Sequence, residues 1–272
     1  MKINFTYEKP TKKMTNKISI YDNLHYKHLI FTRSIIGHTA RKTTRFMNSF
    51  ITGWRGNIVI FDIFYLRLSL LNFYIILKWS GYRRLNLLLY LKDQRFLNLI
   101  NRTWLLHNKN FHGFNRKNNL LGQIFTSHTW LGGIISNWNI WYSFFENIKK
   151  KEVKKIHVSK SAQRYLRKSR GLLSRQSHPS FPDLVLLLTN EKIAMQESYI
   201  NYVPISGISD SNMSTKGFSF FIPGNDDSID FQLYFVELLQ KSLREGNLLE
   251  IQNFYFYFYF YLKKIINLND AL

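Results

Sequence analysis

Apolar positions in this chain fall into short unbroken runs separated by helical stretches, most clearly between Pro182 and Tyr234. Leu184 to Leu188 is a continuous apolar run closed by Thr189 and Asn190. Such a run suits a strand buried on both faces, as in a parallel sheet. Glu191 to Ile200 then places Ile193, Ala194, Glu197 and Ser198 at helical spacing, and Pro204 stops the helix. Val203 to Ser209 predicts the next strand, ending in Asp210, Ser211 and Asn212, small polar residues suited to the carboxyl edge of an open sheet. Phe220 to Ile222 predicts a third strand, with a turn at Pro223-Gly224. Asn225 or Asp226 is then expected to cap a helix, with Asp227 at the positive end of its dipole, so that capping alone accounts for these carboxylates.

Earlier in the chain the same patterning predicts strands over Asn57–Phe61, Leu85–Leu91 and Gln123–Ser127. Leu66–Trp79 has apolar residues on every side and reads as a buried helix, and Phe96–His107 as another. Asn108–Asn119 is expected to be a basic inserted loop. From Asn137 to about Arg175 two apolar helical stripes follow, the first of Trp138, Trp141, Phe145 and Ile148, the second of Ala162, Tyr165, Leu166, Leu172 and Leu173.

Charge changes the picture from fold to partner. The 272 residues carry 38 Lys and Arg against 17 Asp and Glu, a formal net charge of +21. That excess favours a polyanion, with nucleic acid first and anionic membrane second. The longest apolar stretch, Ile58 to Trp79, is interrupted by Asp62, Arg67 and Lys78, which argues against a spanning helix and against a membrane partner. The absence of cysteine removes disulfides, thiolate zinc sites and cysteine nucleophiles. The basic start "MKINFTYEKPTKKM" reads as neither a secretory signal nor a mitochondrial presequence.

Two regions are candidates for phosphate contact. Arg41, Lys42 and Arg45 alternate with Thr39, Thr43 and Thr44, and Trp54-Arg55 follow, so that cations, hydroxyls and a stacking surface lie close along the chain. The second is the run containing Lys150, Lys151, Lys154, Lys155, Arg164, Arg167, Lys168 and Arg170, opposed only by Glu146 and Glu152. A solvated loop and a solvated helix face are the bland alternatives. No nucleophile elbow, metal-spaced His cluster or phosphate-binding glycine motif is present, so neither a reaction, a metal, a cofactor nor a small-molecule substrate is expected.

Three stretches carry a family resemblance. Asp210-Ser211-Asn212 followed by Ile222 to Asp227 ("IPGNDD"), "HTWLGGIISNW" from His128 to Trp138, and more weakly Gly37 to Ile63 resemble the small-subunit ribosomal protein two family. Trp130, Gly132, Gly133, Asn137, Trp138, Asp210, Asn212, Pro223, Gly224, Asn225, Asp226 and Asp227 are the positions that match its structural motifs. The resemblance departs at Leu91-Lys92-Asp93-Gln94 and at Thr129, where the family has a Gly-Thr-Lys-like turn and a basic residue.

The resemblance implies a place on the small ribosomal subunit, contacting ribosomal RNA and neighbouring ribosomal proteins. Patterning and resemblance together predict a Rossmann/flavodoxin-like three-layer α/β domain with a parallel sheet and an inserted, projecting α-helical hairpin. The expected organisation is a basic extension over 1–30, the domain over 31–136 and 179–247, the hairpin over 137–178 and an aromatic extension over 248–272. Enrichment in Phe, Tyr, Asn, Ile and Lys, residues with A- and T-rich codons, points to an organelle-encoded mitochondrial member, with a plastid one as the alternative. The run Phe254–Leu262 is too short to span a bilayer and too apolar to lie bare, so it is expected to pack on a neighbour or on its own domain.

Overall fold

The computed structural model describes residues 24–93, 124–153, 159–160, 163–164 and 181–269. Leading into the main sheet are helix α1 (Tyr26–Phe31), strand β1 (Ile36–Thr39), two short 3-10 turns (Ala40–Lys42 and Arg45–Phe50), β2 (Ile51–Arg55) and β3 (Ile58–Phe61). The three strands form an antiparallel sheet in the order β1-β3-β2. The patterning had indicated β3 alone. β1 and β2 are short and largely exposed or half-buried, so neither has the apolar run or clean alternation that marks a strand.

The chain then enters α2 (Ile63–Tyr82), β4 (Leu87–Tyr90), β5 (Ile124–Ser127), α3 (Trp138–Val153), β6 (Leu184–Leu187), α4 (Lys192–Ile200), β7 (Ile205–Ser209), β8 (Phe220–Pro223) and α5 (Ile229–Asn269). Strands β4 to β8 make a five-stranded sheet in the order β5-β4-β6-β7-β8, every pair parallel. Counted along this sheet alone, the order is 2-1-3-4-5, the doubly wound arrangement in which the winding reverses beside the first strand.

Alternate residues of each buried strand serve opposite faces. Leu87, Leu89, Leu184, Leu186 and Ile222 meet α1, α2 and α5 through Leu29, Leu70, Phe73, Phe231 and Phe235. Leu88, Tyr90, Val185, Leu187 and Ile205 meet α4 and the turn before α3 through Ala194, Leu131, Ile134 and Ile135, with Trp138 and Trp141 packed alongside. Full burial of each such side chain stabilises the fold by about 1.5–3 kcal/mol. These are the three layers expected.

α2 differs from the all-round buried helix expected. Leu66, Leu70, Phe73, Tyr74 and Leu77 are buried, but Phe64, Leu68, Ile75 and Trp79 are exposed. The buried stripe lies on α5 with backbone-to-backbone intimacy: a Cβ added to Gly246 would sit 2.0 Å from the Lys78 carbonyl oxygen, and one on Gly81 would sit 2.5 Å from that of Leu243. Lys78 Nζ to Glu245 Oε2 (3.3 Å) and Arg84 Nε to Glu250 Oε2 (2.6 Å) flank the crossing. α5 continues unbroken through residue 248, where a separate extension was expected to begin.

Of the expected hairpin, the first helix is α3; Gln163 N–H donates to Ser159 C=O at 3.0 Å. The second stripe, the helix expected over 96–107 and the loop over 108–119 lie outside the described residues.

Candidate nucleic-acid interface

The basic loop is held by its backbone, which leaves its cations facing outward. Ala40 N–H donates to Asn57 C=O at 2.8 Å, tying the Arg41-Lys42 turn to the tip of the β2–β3 hairpin that carries Trp54 and Arg55. Thr44 N–H donates to Ser211 C=O at 2.8 Å and its hydroxyl to Met213 C=O at 2.6 Å, while Met47 is buried beneath. Arg41, Lys42, Arg45 and Arg55 are exposed, and Trp54 is 65% exposed. Two neighbours join them that sequence reading had not singled out: Phe46, and Lys216 with Nζ 5.4 Å from the Phe46 ring centroid. The signal for Lys216 was absent because it arrives from beyond β7, far along the chain.

In the second basic region the described side chains are fewer. Lys150 is exposed and pairs with Glu146 at 3.5 Å on the same face of α3, and Arg164 is exposed. Lys154, Lys155, Arg167, Lys168 and Arg170 lie outside the described residues, as does the side chain of Lys151.

The "WLGG" stretch is a structural bracket. Gly133 has φ +86°, a conformation that disfavours any side chain, and its N–H donates to Glu197 Oε1 at 2.5 Å while Ile135 N–H donates to Oε2 at 3.1 Å. Glu197 of α4 thus holds the turn by both carboxylate oxygens, a role its helical spacing did not reveal. Gly132 is exposed. Trp130 stands edge-on to Tyr90, Asn137 C=O opens α3 by accepting from Trp141 N–H at 3.0 Å, and Trp138 meets Phe181 edge-on.

The "DSN" and "IPGNDD" stretches meet β1 at the carboxyl edge of the parallel sheet. Here the capping account of the carboxylates is corrected. Pro223 ends β8 rather than forming a turn, and Gly224 N–H donates to Ser209 C=O at 3.1 Å. The side chain of Asn225 accepts from Asp227 and Ser228 N–H, and Ser228 Oγ accepts from Phe231 N–H at 3.4 Å at the start of α5. Asp226 turns inward instead: it is 6% exposed, and its Oδ2 accepts from Asn190 N–H at 3.4 Å.

Asp210, fully buried, accepts from the N–H of His38, Ser211 and Asp226. His38 Nδ1 lies 3.0 Å from Asp210 Oδ2, and its Nε2 3.4 Å from Asp227 Oδ2. Burial, reinforced by Asp210 and Asp227, pushes the Asp226 carboxyl up to about 6, partly opposed by the Asn190 N–H and His38. Asn212 is half-buried beside this group.

At the departure from the family pattern, Lys92 is exposed just past β4, and Tyr90 Oη donates to Glu191 Oε2 at 3.1 Å across the winding reversal.

A doubly wound parallel sheet, with an antiparallel annex presenting cations and aromatic rings beside its carboxyl edge, defines this chain as an α/β protein with an outward basic surface. A family model described as "Ribosomal protein S2" matches residues 112–246. Among curated proteins, the small ribosomal subunit protein uS2 of Gluconacetobacter diazotrophicus is 28% identical over 141 residues, covering 46% of this chain and 52% of the relative. That of Gluconobacter oxydans is 28% identical over 141 residues, covering 46% and 51%. That of Rhodopseudomonas palustris strain BisB18 is 27% identical over 138 residues, covering 46% and 41%. The chain belongs to the ribosomal protein S2 family. It spans about half the length of the curated relatives it matches.

Proposed function

We propose that this protein is a structural constituent of the small subunit of a mitochondrial ribosome, where it binds ribosomal RNA and neighbouring ribosomal proteins and carries out no chemical step. Family membership carries this reading, and the relatives bear the name small ribosomal subunit protein. The RNA contact rests on Arg41, Lys42, Arg45, Trp54 and Arg55, whose backbone is tied down while their side chains face solvent. Cations held in that way neutralise phosphates without a large ordering cost, and the indole offers a face on which an unpaired base can stack. The basic run from Lys150 to Arg170 is the second clamp. The exposed apolar residues of α2, with Phe64, Leu68, Ile75 and Trp79 along one side, suit a protein neighbour. The mitochondrial assignment rests on the abundance of residues with A- and T-rich codons.

Sedimentation of organelle lysate through a salt-containing gradient tests the reading. The protein should travel with small-subunit RNA in the mitochondrial fraction and stay there at moderate salt. A peak at the top of the gradient, free of RNA, identifies a free factor instead, and co-migration in the plastid fraction overturns the compartment.

A further inference from the structure

We propose that the outward face of α2 is a docking seam for an amphipathic helix of another protein, one whose apolar stripe is bordered by carboxylates. The inward face of α2, through Leu66, Leu70, Phe73 and Leu77, belongs to the core it shares with α5. On the opposite side Phe64, Leu68, Ile75 and Trp79 are each 53–68% exposed, and Leu71 between them is half-buried. Single apolar residues scattered over a surface mean little, but a row of them does. These four leave roughly 500 Å² of largely apolar surface open, the size of patch that marks an interaction site.

The spacing of the row selects the shape of its occupant. Phe64, Leu68, Leu71 and Ile75 follow one another at steps of four, three and four residues, the alternation of a coiled-coil seam. A second helix laid along it sets its own side chains between these, whereas a strand or a loop matches the row at one or two positions only.

Charge selects the occupant's chemistry. From residue 62 to 84 the cations are Arg67, Lys78, Arg83 and Arg84, and the only carboxylate is that of Asp62 at the helix N-cap. At 3.6 residues per turn, Arg67 and Lys78 border the row on one side and Arg83 on the other. Two of these cations are held in place beside it. The Arg67 guanidinium lies 4.7 Å over the Tyr26 ring and donates to Tyr26 Oη at 3.0 Å, and that of Arg83 lies 5.6 Å from the Trp79 ring centroid. Lys78 also meets Glu245 of α5 at 3.3 Å. A helix edged with Asp or Glu therefore finds ordered positive charge on both flanks. A second copy of this chain would set like charges against one another at a net charge of +21. RNA would find on Leu68, Leu71 and Ile75 neither a donor nor a flat ring on which to stack.

That the helix belongs to a neighbour on the ribosome rests on the ribosomal reading. The seam itself does not, and its test contains no ribosomal protein.

The full 272-residue chain is titrated with a fluorescein-labelled synthetic helix carrying Leu at its a and d positions and Glu at e and g. A second peptide has the same composition, with its Leu residues scattered around the helix. Fluorescence anisotropy should show the patterned peptide binding about tenfold tighter or more than the scattered one. Leu68→Gln combined with Ile75→Gln should weaken the patterned peptide by about tenfold or more and leave affinity for small-subunit RNA unchanged. Arg83→Glu, at an exposed position, should weaken it about threefold or more, and carries the test if circular dichroism shows the double variant unfolded. Equal binding of the two peptides overturns the proposal, because net charge alone then attracts both. A folded double variant that binds the patterned peptide as the wild type does overturns it equally, as does an unaffected Arg83→Glu where the double variant is unfolded. Loss of RNA affinity in the folded double variant assigns the face to RNA, and a wild-type dimer in sedimentation equilibrium that the double variant dissociates assigns it to a second copy; either result overturns the proposal. Failure of the protein to sediment with small-subunit RNA, with the expected peptide results, removes the ribosomal owner and keeps the seam.

Discussion

Tyr90 shows how one buried hydroxyl ties stability to pH. Burial first, and then the carboxylate of Glu191, which its Oη meets at 3.1 Å, raise its pKa above the ordinary tyrosine value. Tyr234 is raised in the same direction by burial and Glu237. In the unfolded chain a tyrosine ionises near pH 10. Above that pH the unfolded state binds fewer protons than the folded one, so stability falls as pH rises, while below it these groups contribute no slope. Tyr90→Phe should therefore cost about 1 kcal/mol at pH 8, from the lost hydrogen bond, yet lose stability less steeply above pH 10. Urea midpoints at the two pH values check this; an unchanged slope would mean that Tyr90 ionises in the fold as freely as in the open chain. Residues of this kind were partly legible. Asp210, Asp226 and Asp227 stood out as carboxylates, but the burial of Asp210 and Asp226 did not, because His38 lies 172 residues from Asp210 and only the docking of β1 brings them together.

Elements were legible in proportion to their burial. β6, β7 and β8 announced themselves because a strand covered on both faces needs an unbroken apolar run. β1 and β2 went unread because their order comes from pairing with β3 and from bonds to Asp210 and Ser211, and not from local composition. The close crossing of α2 and α5 was equally invisible, since a glycine within a helix reads only as a weak position. It has a definite consequence. Gly246→Ala drives a methyl group into the Lys78 carbonyl, so the helices must separate, at a cost of about 1–3 kcal/mol. Gly53→Ala is the matched control, because nothing lies within 4 Å of the added carbon. Chemical denaturation should show a lower midpoint for the first variant with no change in slope, and a near wild-type midpoint for the second. Equal midpoints would show that the crossing relaxes freely.

For the molecule as a whole, the excess positive charge decides how a partner is held. On the proposed ribosomal reading, a chain at +21 would gain a large share of its affinity for RNA by releasing counterions, a term that depends on salt and hardly on sequence. Fold and charge act together here: the doubly wound domain is a rigid spacer, and the annex beside its carboxyl edge presents Arg41, Lys42 and Arg45 on a backbone already fixed by Ser211, Met213 and Asn57. If those three cations each meet a phosphate, replacing all three with Gln reduces the slope of log affinity against log salt by about 2 to 3, since each contact contributes about 0.7 to 0.9. Trp54→Ala behaves differently. A stacking contact is worth about 1–3 kcal/mol and releases no counterion, so affinity should fall at every salt concentration with the slope unchanged. Binding of the purified chain to small-subunit RNA across a salt series separates the two. If the triple variant keeps the wild-type slope, the phosphate contacts lie elsewhere, and the run from Lys150 to Arg170 becomes the surface to replace next.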